Sequence, residues 1–481
     1  RGTMHESEAA RPVLVVDLDG TLIRSDMLYE SFWSAFARDW RAPLHAMAGL
    51  AQGRAALKAR LAALAPPDPA SLPYVGEMLD EIHAWRASGG RTALVTAADR
   101  HLAEAIASHL GLFDEVHASD GATNLKGAAK AALLRERFGP RGFVYAGDHA
   151  IDLAVWKDAA GAISVGAAPE LRARIDALHP EARHLAPPQP VLPAALRALR
   201  PHQWAKNVLV FLPLLAAHQF TALSLAQCLA GFVAFSLVAS SVYLLNDLLD
   251  LASDRAHPRK KNRPLASGAL PLARGMAMIP VLLGIGMAIA LALNARFLGV
   301  LAGYYLLTIA YSLWLKRRAI IDICTLASLY TLRIMAGAAA TGITLSVWLL
   351  ALSAFLFFAL AAVKRQAELV DLINRGVVEV AGRGYRTGDL PVVAQLAIAS
   401  GFAAVLVMML YINEPATRLL YPRPMLLWGA CLVLLYWVSR MALVAQRGKM
   451  DDDPVVFAAR DRVSQIALVL TALLIAGASW G

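Results

Sequence analysis

The spacing of apolar residues changes character once along this 481-residue chain. Up to about residue 180 the apolar runs are short and interrupted by polar stretches, and from Val208 onward they lengthen to membrane-spanning size. In the front part Val13 to Val16 leads into Asp17, Thr92 to Val95 into Thr96, and Phe143 to Ala146 into Gly147 and Asp148. Such runs predict strands buried on both faces, each ending in polar residues at a sheet edge. Helical patterns over 102–110 and 127–138 separate them, so residues 12–180 are expected to form a doubly wound α/β domain. A helix-rich insertion over about 26–86 carries Tyr29, Phe32, Trp33, Phe36 and Trp40, which suit the core of a small helical cap. Residues 1–11 read as a disordered polar tail, with Arg1 to Thr3 as a vector remnant and no signal peptide, and the proline-rich stretch 181–200 reads as a linker.

Beyond the linker, apolar segments occupy roughly 207–222, 224–245, 271–293, 296–315, 320–340, 346–363, 390–412, 424–444 and 463–480, which predicts an all-α nine-helix transmembrane bundle over 201–481. The first is the weakest, being short and containing His218 and Gln219. Arg259, Lys260, Lys261 and Arg263 follow the second segment, Lys316 to Arg318 the fourth, Lys364 and Arg365 the sixth, and Arg447 and Lys449 the eighth. All four basic clusters therefore share one face, while the opposite loops hold only Arg296, Glu414, Arg418 and Arg423 among charged residues. The positive-inside rule makes the basic face cytoplasmic. With nine spans the N-terminal domain lies on that side too, in an inner (plasma) membrane protein.

Composition sharpens this picture. With 58% hydrophobic and 17% charged residues, and a mean hydropathy of +0.51, the chain is too apolar to be soluble throughout. A net charge of +10 could suggest nucleic acid, but the basic residues of the apolar half cluster between spans, which fits membrane lipids and phosphorylated substrates instead. Cys228, Cys324 and Cys431 each lie in an apolar run and offer neither a disulfide framework nor metal spacing.

The second half also holds a concentration of carboxylates. Asn246, Asp250 and Asp254 fall at i, i+4 and i+8 at the end of an apolar helix, with Asp247 beside them. An Asp at a membrane helix centre costs roughly 2.5–3.5 kcal/mol, so this stripe calls for a compensating cation or a water-filled cavity. Mg2+, which prefers oxygen ligands shared with a substrate phosphate, meets that need.

Two resemblances follow from these residues. Asp17-x-Asp19-Gly20-Thr21, Thr96, Lys126 and Gly147-Asp148-x-x-x-Asp152 resemble, in order, the four motifs of haloacid dehalogenase-like phosphatases. The resemblance implies Asp17 as nucleophile, Asp19 as general acid, Thr96 and Lys126 as phosphoryl ligands, and Asp17, Asp19, Asp148 and Asp152 around Mg2+. Asn246-Asp247-x-x-Asp250-x-x-x-Asp254, running on to Lys260 and Arg263, resembles the first signature of the UbiA superfamily of intramembrane prenyltransferases, in which Asp-rich motifs hold a Mg2+-diphosphate. Its second signature is reduced to Asp322, since Leu326 stands where another Asp is expected.

That departure, with Lys206 and Asn207, Arg333, and Lys364 and Arg365, is similar to decaprenyl-phosphate phosphoribosyltransferases. This resemblance implies phosphoribosyl pyrophosphate as donor and a polyprenyl phosphate lipid as acceptor, with Asp250 and Asp254 catalytic. Asn246, Asp247, Asp250, Asp254 and Asp322 would hold metal, and Lys206, Asn207, Lys260, Arg263, Arg333, Lys364 and Arg365 would hold the substrates. Together the halves suggest a bifunctional enzyme that transfers 5-phosphoribose to the lipid and then removes the 5-phosphate. The alternative is a prenyltransferase acting on an aromatic acceptor, with an unrelated phosphatase. The sequence leaves the oligomeric state open, a homo-oligomer included.

Overall fold

The structure is a computed structural model that describes residues 11–119, 125–376, 384–450 and 453–480. Of the expected tail, residues 1–10 lie outside the described residues. The chain forms two compact units, one of Arg1–Ala198 with Tyr243–Met278 and the other of Leu199–Val242 with Ile279–Gly481.

The first unit contains a six-stranded sheet in the order β3-β2-β1-β4-β5-β6. Its strands are β1 (Val13–Val16), β2 (Thr92–Asp99), β3 (Glu115–Ser119), β4 (Phe143–Gly147), β5 (Gly161–Val165) and β6 (Arg183–Leu185). Every pairing is parallel. β1 is buried along its whole length, as expected of a strand covered on both faces. Because β1 pairs with β2 on one side and β4 on the other, the sheet reverses its winding there. The residues just past β1 and β4 thus meet in the crevice where such sheets bind ligands.

Between β1 and β2 lie α1 (Met27–Arg38), α2 (Ala42–Leu50), α3 (Arg54–Leu64) and α4 (Gly76–Ala87). Asp26 caps α1 by accepting from the Leu28 amide, satisfying a donor that the first helical turn leaves open. Trp33 is buried and its ring meets those of Phe32 and Phe36, whereas Trp40, expected in the same core, is half exposed. The remaining helices of the α/β part are α5 (Arg100–Leu110), α6 (Ala128–Phe138), α7 (Leu153–Trp156) and α8 (Pro169–Leu178).

The expected linker over 181–200 needs correction. Residues 183–185 are β6, paired to β5, and residues 191–198 form α9 (Val191–Ala198). The prolines permit both elements, because Pro187, Pro188 and Pro190 come after the strand and Pro193 sits in the first turn of the helix, where no intrahelical N–H is required.

In the apolar part, Pro201–Phe211 is a 3₁₀ helix that passes into α10 (Leu212–Ala216). The expected first segment over 207–222 is therefore not one long α-helix. Pro213 removes the amide that would donate to Leu209, and His218 takes a left-handed φ of 54°, so the helix cannot continue.

There follow α11 (Ala222–Leu249), α12 (Leu251–Ala256), α13 (Leu272–Leu293), α14 (Ala295–Leu313), α15 (Ile321–Thr341), α16 (Val347–Asn374), α17 (Leu390–Ile412), α18 (Pro415–Leu420), α19 (Met425–Gln446), α20 (Pro454–Arg460) and α21 (Arg462–Ser479). Among the described residues, 8 helices are long and apolar enough to cross a membrane. α16 runs well past the expected end at 363, so Lys364 and Arg365 lie within a helix rather than in a loop after it.

Candidate active sites

The crevice past β1 and β4 gathers the front-half site. Asp17, Asp148 and Asp152 can each offer a carboxylate oxygen within 4.8 Å of the others. Lys130 Nζ lies 2.9 Å from Asp17 Oδ1 and donates to Tyr145 Oη at 3.0 Å, and Tyr145 in turn donates to Asp152 Oδ1 at 3.1 Å. Gly20, at a φ of +74°, has no room for a side chain, since a Cβ there would meet Asp148 Oδ2 at 2.1 Å. This glycine lets the turn after Asp19 pass directly over the Asp148 carboxylate. Asp19 accepts from the Met27 amide at 2.9 Å, and Thr96 is buried with its hydroxyl accepting from the Ala98 amide.

The carboxylates outnumber the cations that face them, and their acidities respond. Burial pushes the Asp148 carboxyl up to about 8, helped by the charges of Asp17 and Asp152. Burial, with Asp26 and Asp17, lifts Asp19 well above the usual range, and burial with Asp17 raises Asp152. Desolvation and like charge both disfavour the ionised form, so the site is tuned for a divalent cation that relieves both.

Two lysines here escaped the sequence reading. Lys126, expected to face the phosphoryl group, is exposed at the start of α6, whereas Lys130 one turn later is buried against Asp17. Lys130, Ala131 and Leu134 form the buried face of α6, and that face was the available signal. Lys58 of α3 reaches the Ala97 carbonyl at 2.8 Å, and its charge also favours the ionised form of Asp19, against the effect of burial. No local pattern points to it.

The Asn246–Asp254 stretch lies in the same unit. α11 ends at Leu249 and α12 begins at Leu251, yet the amides of Asp250 and Asp254 still donate to the carbonyls four residues back, at 2.9 and 2.8 Å. Arg263 closes the stretch from the following loop, its Nη1 lying 3.1 Å from Asp247 Oδ1 and 2.7 Å from Asp254 Oδ2. Asp247, read as lying beside the stripe, thus shares a partner with Asp254. Burial raises the Asp254 carboxyl although Arg263 pulls the other way, and Lys260 adds to that pull. Asn246 Oδ1 is buried without a hydrogen-bond partner among the described residues. An orphaned amide oxygen in this Asp-rich stretch fits an oxygen-seeking cation.

The second unit holds the other expected residues. Asp322 is fully buried and paired with Arg365 Nε at 2.5 Å, and Tyr311 donates to its other oxygen at 2.7 Å. Arg365 also pairs with Glu368. Just ahead of Asp322, Ile320 takes a φ of 67°, strained for a β-branched residue, and its amide donates to Tyr385 Oη at 2.8 Å. Arg333 donates to Asn207 Oδ1 at 2.8 Å, with the rings of Phe235, Tyr304 and Tyr330 within 5.1–5.4 Å of its guanidinium. Lys206 and Lys364 converge on Asp453, which also caps α20. Burial alone would raise the Asp453 carboxyl, but Lys364 and Lys206 hold it well below the usual carboxylate range. The basic surplus seen in sequence is therefore largely matched to anions, amides and rings.

Comparison with known proteins agrees with both halves. Residues 14–157 match the haloacid dehalogenase-like hydrolases, and residues 207–460 match the UbiA prenyltransferase family. The Sinorhizobium fredii protein y4nM is 40% identical over 471 residues, covering 96% of this chain and 90% of that protein. The nodulation protein NoeC of Azorhizobium caulinodans is 37% identical over 277 residues, covering 57% of this chain and 90% of its own length. The decaprenyl-phosphate phosphoribosyltransferase of Mycolicibacterium smegmatis is 38% identical over 189 residues, covering 38% of this chain and 59% of that enzyme. With an intact α/β phosphatase-type crevice in front and membrane-length helices behind, the chain belongs to the UbiA prenyltransferase family as a multi-pass membrane enzyme that carries a haloacid dehalogenase-like hydrolase domain.

Proposed function

We propose that this protein transfers 5-phosphoribose from phosphoribosyl pyrophosphate to a polyprenyl phosphate and then hydrolyses the 5-phosphate, releasing polyprenylphosphoryl-ribose. The observation that carries the reading is the pairing of a hydrolase crevice built around Asp17 with a membrane half similar to decaprenyl-phosphate phosphoribosyltransferase. The first reaction leaves a phosphomonoester on a lipid, and the second activity is the kind that removes one.

In the hydrolase site Asp17 attacks the phosphorus and carries the phosphoryl group, while Asp19 gives its proton to the departing alkoxide and then takes one from water. Burial and the neighbouring charges of Asp26 and Asp17 favour the protonated form of Asp19. Lys130 orients Asp17, and Thr96, Lys58 and Lys126 are available to the phosphoryl oxygens. Asp17, Asp148 and Asp152 would hold Mg2+, which when bound offsets the repulsion between a carboxylate nucleophile and a phosphate.

In the transferase, Asn246, Asp247, Asp250 and Asp254 would hold the Mg2+ of a diphosphate donor, with Asp322 as a further carboxylate. Arg263 pairs with two of the carboxylates, and Lys260, whose charge acts on Asp254, is assigned to a donor phosphate. Lys206, Asn207, Arg333, Lys364 and Arg365 are assigned to the substrates as a group. The basic loops support an inner-membrane protein with both sites cytoplasmic.

The test is to incubate the purified protein with Mg2+, phosphoribosyl pyrophosphate and a polyprenyl phosphate and to weigh the lipid. A ribosylated lipid without the 5-phosphate is the expected product. A lipid retaining it would separate the hydrolase from this substrate. Turnover of a prenyl diphosphate with an aromatic acceptor, and no ribosylated lipid, would overturn the reading.

A further inference from the structure

Within the first unit, the segment that follows the Asn246–Asp254 stretch, from the last turn of α12 into the loop beyond it, grips the hydrolase at two points. Arg255 makes a two-pronged ion pair with Glu30 of α1, Nη1 to Oε2 at 2.9 Å and Nη2 to Oε1 at 2.7 Å. Its Nε donates to the Ala266 carbonyl at 2.8 Å, and both side chains are almost fully buried, at 8% and 3% exposure. The second point is Gly268, where a Cβ would lie 2.4 Å from the Arg24 carbonyl oxygen.

Both points lead to one place. Glu30 accepts from Ser25 Oγ at 2.5 Å, the Gly20 amide donates to the Ser25 carbonyl at 3.1 Å, and the Met27 amide at the head of α1 donates to Asp19. The segment from Gly20 to Glu30 is thus held at its far end by Arg255, pressed in its middle by Gly268, and joined to Asp19 at its near end.

We propose that Arg255 and Glu30 are positioning residues for the hydrolase, holding the head of α1 so that the Met27 amide keeps Asp19 in register with Asp17. The segment bearing the Asp-rich motif of the transferase would then be a structural part of the phosphatase site. This inference rests on the hydrolase reading of the front half. A bidentate arginine–carboxylate pair fixes orientation as well as distance, so its loss displaces α1 rather than merely loosening it.

The experiment uses the full-length protein in lipid nanodiscs with Mg2+ and p-nitrophenyl phosphate. Arg255→Ala and Glu30→Ala are expected to lower kcat about 10- to 100-fold while KM stays within about twofold, as a displaced catalytic group would do. Arg255→Lys should recover part of the loss, the exchange Arg255→Glu with Glu30→Arg more of it, and Gly268→Ala should reproduce it. Hydrogen exchange at the Met27 amide should quicken in Arg255→Ala and return toward the native rate in the exchange.

An unchanged kcat in Arg255→Ala overturns the proposal, as does an exchange variant that recovers thermal stability without recovering kcat. If the native protein hydrolyses no phosphomonoester, the hydrolase reading fails by itself. The Met27 amide then still decides, because an unchanged exchange rate in Arg255→Ala removes the link.

Discussion

The two acidic clusters of this chain solve the same problem in opposite ways. Around Asp17, the carboxylates face one buried lysine, and burial and mutual repulsion push Asp148 and Asp152 up further than that lysine pulls them down. In the Asn246–Asp254 stretch, Arg263 spans Asp247 and Asp254 and balances part of the charge from within the chain. The first site stores a demand for a cation in the protonation state of its carboxyls. The second meets part of that demand and leaves an oxygen of Asn246 unmatched. Where an arginine is near, buried negative charge is held in a charge-assisted clamp, and even there burial still raises the Asp254 carboxyl.

The sharpest way to test this contrast is to remove the nucleophile. Asp17→Asn should lower phosphomonoester hydrolysis by at least about 10³-fold, with transfer retained and the phosphorylated lipid accumulating in a mass spectrum. A parallel loss of transfer would break the separation of the two sites. Next, Arg263→Ala unbalances Asp247 and Asp254 and should lower transfer about 100-fold, while hydrolysis of a soluble phosphomonoester persists. Transfer assayed with a radiolabelled donor measures this directly, and a variant at the native rate would show that the clamp is dispensable.

Smaller effects separate the two lysines at the head of α6. Lys130→Met leaves Asp17 buried without its partner and should cost about 3 kcal/mol of stability, read as a lower melting temperature. Exposed Lys126, changed to Met, should leave melting unaffected and raise KM for a phosphomonoester.

A further effect is a pH slope. The folded Asp148 carboxyl titrates at about 8 against an ordinary 3.8, so the fold favours its protonated form. The stability that this preference contributes is fully present below the unfolded value and is lost as pH rises through the folded one. Protein stripped of divalent cations should therefore melt at falling temperatures between about pH 4 and 8, and excess Mg2+ should flatten the slope. A flat profile without metal would mean that the cluster is already balanced.

Much of this was legible in the sequence because it depends on local spacing. The run Val13 to Val16 ending in Asp17 became β1, and eight of the apolar segments became membrane-length helices, with α16 running far past its expected end. The misses have a common cause. A proline-rich stretch looks like a linker until a neighbouring strand offers an edge, as β5 does to Arg183–Leu185. A basic pair after an apolar run looks like a loop until the helix continues and buries Arg365 on Asp322.

By itself, then, the sequence determined the two-part architecture, the order of the hydrolase motifs and the Asp-rich stretch, since hydrophobic period and motif spacing are properties of neighbouring residues. The tertiary structure alone decided which lysine meets Asp17, that Asp247 and Asp254 share Arg263, that Lys206 and Lys364 share Asp453, and that Glu30 finds Arg255. Most of those are pairings between charges far apart in the chain, and Arg263 reaches its partners only because the loop after α12 folds back. A buried charge takes whichever partner the packing brings within reach, and no local pattern records that choice.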